Sequence, residues 1–152
     1  MRRSFVVALV LGATLMVSAG PASAGDNFAA PMSGGEEVPP VDTQATGVAT
    51  FKVRAEGLGF KVNVANIDNV IAAHIHCGAV GVNGPVGVTL FRGGPATVNG
   101  TLAEGVITAP DPGNACGWTD LAAVVAALEG GDTYVNVHTT AHPGGEIRGQ
   151  IK

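Results

Sequence analysis

Twenty-three glycines and nine prolines are spread along 152 residues, and they leave room for almost no helix. Proline removes a backbone donor and glycine weakens regular elements, so such a chain must build from short extended pieces joined by turns. The pieces alternate as strands should. In "GVATFKVR" (47–54), Ala49, Phe51 and Val53 alternate with Val48, Thr50, Lys52 and Arg54. In "GFKVNVAN" (59–66), Phe60, Val62 and Val64 alternate with Lys61, Asn63 and Ala65. A period of two marks strands of a sheet with one covered face. The intervening "AEGLG" reads as a hairpin connection. Further strands fit 70–77, 86–92, 97–108 with a break near Asn99-Gly100, 132–139 and 145–151. The one helical stretch is "WTDLAAVVAALEGG", where Leu121, Val124, Val125 and Leu128 form a single stripe. Thr119 or Asp120 caps its start, and Gly130 or Gly131 ends it. The expected fold class is all-β, an antiparallel β-sandwich with one short helix.

Residues 1–24 are expected to stand apart from that fold. Arg2 and Arg3, an apolar run from Phe5 to Val17 and Ala22-Ser23-Ala24 have the layout of a secretory signal peptide cut after Ala24. The apolar run is short for a spanning anchor. One domain, 25–152, would remain, with no membrane insertion after cleavage, secreted to the periplasm or beyond. Loss of the two arginines leaves six basic against twelve acidic residues, a net charge of −6. So acidic a chain is a poor ligand for nucleic acid or anionic lipid.

Cys77 and Cys116 are the only cysteines, and in an oxidising compartment a lone pair is expected to form a disulfide. Closing a loop of about 38 residues would stabilise the fold by ~2–4 kcal/mol. On strand 70–77, Ile71, Ala73, Ile75 and Cys77 share the apolar parity, which points Cys77 into the core and makes it inert.

The opposite parity carries His74 and His76. By the same alternation Asn136 and His138 lie opposite Val135 and Val137, and Glu146, Arg148 and Gln150 lie opposite Ile147 and Ile151. If these strands are neighbours, their polar residues form one cluster on an outward, solvated face. Two histidines at i and i+2 lie ~7 Å apart at Cα, close enough for both rings to reach one ion. His138 would be the third ligand, with Glu146 accepting a ring N–H or else pairing with Arg148, and Asn136 close by. Imidazoles suit copper or zinc, copper(II) binding more tightly, and affinity should fall as pH drops through ~6.5. The plainer alternative is a polar patch in which these residues bond one another. His142, before a proline, and Glu36-Glu37, beside prolines, read as solvated loop residues. Gly78, Gly81 and Gly84 read as turn residues, since the strand "VGVTLF" follows where a phosphate loop would open a helix. No G-x-S-x-G and no Ser–His–Asp or Cys–His grouping suggests itself, so no catalytic residue is assigned.

"GGEEVPPVDTQATGVATF", "HIHCGAVGVNGPVGVTLF" and "YVNVHTTAHPGGEIRGQI" together resemble the CHRD (chordin-type) domain, from about Ser33 to Ile151. The resemblance implies a compact extracellular β-domain of immunoglobulin-like or related sandwich type, with no defined activity. Growth-factor binding by chordin is associated mainly with its other modules and does not carry over. A looser likeness, to copper–zinc superoxide dismutase, rests on the H-x-H strand and the cysteine pair. It implies His74 and His76 as copper ligands in a Greek-key sandwich. The bridging histidine and the zinc-loop ligands of that family have no counterpart here, so dismutase chemistry is not implied. Three functions follow: a non-catalytic extracytoplasmic module with a histidine metal site, a structural or adhesive domain without metal whose partner would be an unidentified extracellular protein, and, least favoured, a metal-dependent redox enzyme.

Overall fold

The computed structural model describes residues 27–152; the expected signal peptide and its cleavage site lie outside the described residues. Six strands and one α-helix follow in order: β1 (Asn27–Ser33), β2 (Thr46–Arg54), β3 (Gly57–Cys77), β4 (Val86–Ile107), α1 (Leu121–Glu129), β5 (Thr133–Thr139) and β6 (Ile147–Gln150). A single 3-10 turn, Gly34–Glu36, follows β1.

The all-β expectation with one short helix holds, but the sandwich is corrected. Antiparallel pairing runs β2-β1-β6-β5-β3 and returns from β3 to β2, which closes a ring of five strands. β4 is added outside the ring, along β3. Closure depends on β3. Its first half pairs with β2 from Thr46↔Ala65 to Arg54↔Gly57, and its second half pairs with β5 from Val70↔Thr139 to Cys77↔Thr133. Two segments read as separate strands are thus one. Between the halves, Asn66 and Asn69 both take φ of 55°, a left-handed conformation that asparagine tolerates better than most residues. The register with β4 slips repeatedly there, and such bulges bend a strand enough to change neighbours. The break expected near Asn99-Gly100 is also bridged, with Gly100 at φ of 126° inside a continuous β4.

β2 and β3 form the expected hairpin, with Ala55 and Glu56 as the turn between paired Arg54 and Gly57. β1 has no counterpart in the sequence reading. Pro31 interrupts it and its inward residues Ala30 and Met32 are not β-branched, so its strand signal is weak. β1 meets β6 at one bridging pair, Ser33↔Arg148, and the ring is sealed further on where Ala29 and Lys152 exchange backbone hydrogen bonds of 2.8 and 3.0 Å.

The core holds Phe51, Leu58, Val62, Ile75, Val135, Val137, Ile147 and Ile151, with Val124 and Leu128 of α1 packed against them. Asp120 caps the helix, accepting from the Ala123 N–H at 2.9 Å. Among the described residues no helix is long and apolar enough to cross a membrane.

Candidate metal centre

The second half of β3, β5 and β6 lie side by side. Their register aligns His74 with Asn136 and Arg148, and His76 with Tyr134 and Gln150, while His138 stands opposite Ala72. The alternate residues Ala73, Ile75, Val135, Val137 and Ile147 are fully buried on the core side. His74, His76 and His138 therefore meet on the other face, one ring nitrogen of each within 4.8 Å of the others.

That face is not the wet one expected. His76 is 8 % exposed, His138 9 %, Asn136 3 % and Arg148 2 %. Three connecting segments lie over it: 34–45, 78–85 and 140–146, each of which bonds to the polar residues below. Only His74 of the three histidines is half-buried. A second, polar layer thus sits between sheet and loops.

Backbone carbonyls set the tautomers, because a carbonyl only accepts. His76 Nδ1 lies 2.9 Å from Gly84 O and His138 Nδ1 lies 2.9 Å from Pro143 O, so both Nδ1 atoms carry the proton. In the neutral rings both Nε2 atoms are then bare lone pairs. That of His138 accepts from His74 Nδ1 at 3.0 Å. That of His76 is buried and has no hydrogen-bond partner. His76 is also stacked flat on Tyr134, with ring centroids 4.7 Å apart and planes 8° apart. Burial lowers the pKa of all three rings from the ordinary 6.5, and for His74, with His138 and His76 adding to the effect, to about 4. The rings are neutral at pH 7 and able to ligate. Proton competition consequently moves below the ~6.5 expected from the sequence.

Gly84 is where the turn reading of the glycines becomes specific. A Cβ there would collide with Cys77 O, so only glycine lets the chain return close enough for Gly84 O to reach His76. The Tyr134 hydroxyl meets the same residue, accepting from its N–H at 3.1 Å.

Glu146 does not take the role expected of it. Its two carboxylate oxygens accept from the Thr43 and Thr139 hydroxyls, each at 2.7 Å, and neither a histidine nor Arg148 is its partner. Arg148 instead donates to Asn83 Oδ1 at 3.0 Å and Val82 O at 2.9 Å, with its guanidinium 3.5 Å above the Tyr134 ring. Both residues anchor loops to the sheet. His142 lies outside the histidine group; its carbonyl accepts from Thr139 and Gly145 in the turn before β6.

Glu37 is the residue that sequence reasoning missed. Expected in solvent, it is 6 % exposed and accepts from Asn136 Nδ2 at 2.6 Å. Burial raises its pKa from 4.5 to about 7, although Arg148 and Asn136 pull it the other way. An acid in a proline-rich loop carries no sign of burial, since the covering contact comes from β5, nearly a hundred residues away.

Cys77 and Cys116 are bonded, with Cα atoms 5.8 Å apart, tying the end of β3 to the segment before α1. Both are half-buried, a correction to the core position expected for Cys77. The bond starts one residue after His76 and so holds the strand end that presents it.

Comparison with curated proteins and with solved structures finds no match. A family model does match, that of the CHRD domain, over residues 28–151. It spans all of the strand ring but Asn27, the histidine triad and the loops that cover it, and by that match the chain belongs to the CHRD domain family.

Proposed function

We propose that this domain acts outside the cytoplasm as a non-catalytic module that binds one divalent transition metal, copper(II) before zinc, through His74, His76 and His138. The observation that carries the reading is the buried, unpartnered Nε2 of His76 inside a three-histidine group. A structural histidine would normally satisfy such an atom, whereas a ligand leaves it bare. Backbone carbonyls hold His76 and His138 by their Nδ1–H groups, the outer-shell arrangement usual for metal-bound imidazole. Ligation by His74 through Nδ1 requires its other tautomer.

Copper(II) is placed before zinc by the general affinity order of divalent metals for imidazole ligands. Export fits the disulfide, the membership of an extracellular domain family and the basic–apolar–small start of the chain.

The test is titration of the exported protein with copper(II) and zinc beside His74→Ala, His76→Ala and His138→Ala, disulfide intact. Copper should bind one per chain and more tightly than zinc. Each substitution should cost more than the ~10–100-fold typical of outer-shell changes. Equal binding by all four proteins would remove the histidines from the site. Absence of binding tighter than micromolar would leave a structural or adhesive domain. Intact mass of the same product should correspond to a chain beginning at Gly25.

A further inference from the structure

His76 Nε2 is not the only stranded acceptor on this face: Asn136 Oδ1 is also buried without a hydrogen-bond partner. Asn136 is directly opposite His74 and two residues before His138 on β5, so its side chain shares the sheet face of both rings. Directly opposed Cβ atoms in such a pair are ~4.5–5.5 Å apart. Its amide is oriented by Glu37, whose Oε1 accepts from Nδ2 at 2.6 Å. That leaves Oδ1 as an acceptor.

The donors nearby are committed. His74 Nδ1–H goes to His138, and His138 Nδ1–H to Pro143 O. Arg148 donates to Asn83 and Val82, Tyr134 to Gly84 O, and the Thr139 hydroxyl to Glu146. Two lone pairs cannot satisfy each other. A cation on Nε2 relieves one of them; the other is relieved by a proton donor that the cation brings, or by the Nε2–H that His74 carries once it ligates through Nδ1, and the variants below separate the two.

From these two atoms we infer that the ion held by the histidines keeps a fourth ligand with a proton, a water, which donates to Asn136 Oδ1. The inference rests on the metal reading above and extends it to the site's ligand preference. Water, ammonia or hydrogen peroxide can donate to Oδ1. Azide or chloride cannot, and each would set its negative charge against the carbonyl dipole. Asn136 is on this account a specificity residue: it admits small protic ligands to the metal and discriminates against aprotic anions.

The experiment uses the full exported domain loaded with one copper(II) per chain, as wild type, Asn136→Leu and Asn136→Asp. Azide affinity is read from the ligand-to-metal absorption band, and the bound water from proton relaxivity. Asn136→Leu removes the acceptor at similar volume, so azide should bind on the order of tenfold more tightly and relaxivity should fall. Asn136→Asp sets a second carboxyl against Glu37; the pair shares one proton and still leaves an acceptor and a negative charge beside the ion, so azide, read below pH 7, should bind more weakly than to wild type. The aspartate variant carries the test should the leucine variant fail to fold. Wild-type azide affinity and relaxivity in the variants, with copper still lost on His76→Ala, would overturn this inference alone. Failure of the wild type to bind copper would overturn the metal reading and this inference together.

Discussion

At the scale of residues, the site depends on a glycine as much as on its histidines. The Gly84 carbonyl fixes the tautomer of His76, and it reaches the ring only because no Cβ intervenes between Gly84 and Cys77 O. Gly84→Ala must push residues 78–85 away from β3 and release the His76 ring. We expect copper affinity to fall ~10–100-fold while every ligand is still present, because a ring freed from its outer-shell partner pays ordering entropy on binding. Calorimetric titration of the variant, with its disulfide checked by free-thiol counting, measures this. Unchanged affinity would mean that the carbonyl has no part in the site.

At the scale of elements, alternation was legible wherever a strand has one apolar and one polar face. β2 and β5 show this in Phe51 against Lys52 and in Val135 and Val137 against Asn136 and His138. The helix was legible from its stripe and from Asp120. β1 was not, because Pro31 and the alanines dilute its pattern. The fusion of 59–66 with 70–77 was not legible either, since it turns on two asparagines with positive φ, and asparagine more often marks a loop. The outward parity of the histidines was readable, but their burial was not. Parity is local, whereas the cover over them comes from loops placed by the whole ring. Helix α1 allows an independent check on the packing. Asp120→Ala removes the acceptor for Ala123 N–H and should destabilise the domain by about 1 kcal/mol, because Val124 and Leu128 couple the helix to the core. Denaturant unfolding should show a lower midpoint at unchanged slope, with copper affinity as in wild type. A shift in affinity would contradict the placement of α1 away from the histidines.

At the scale of the whole molecule, closing five strands into a ring leaves a polar layer enclosed between sheet and loops, and its protonation is tied to folding. The three histidine pKa values are lowered by burial, so the unfolded chain takes up these protons first as pH falls. Their contribution to stability is complete above 6.5 and is lost as pH falls from 6.5 toward about 4, the value for His74. Glu37 acts in the opposite sense. With its pKa raised to about 7, the folded state binds its proton first; its contribution is complete below 4.5 and is lost as pH rises through about 7. Between 4.5 and 6.5 three histidines whose pKa values are lowered, His74 to about 4, oppose the single raised Glu37, so metal-free stability should fall with acidification across that window. Glu37→Gln keeps an acceptor for Asn136 and removes the opposing proton, so its stability should fall more steeply over the same range. Copper at a hundredfold excess over its dissociation constant should add ~2.7 kcal/mol at pH 7. The increment should shrink as the rings protonate. Denaturant unfolding of both proteins at pH 7, 5.5 and 4.5, with and without copper, tests all three expectations. A metal-free wild type equally stable at the three values, or a Glu37→Gln profile parallel to it, would show that the enclosed layer does not couple folding to protons in this way.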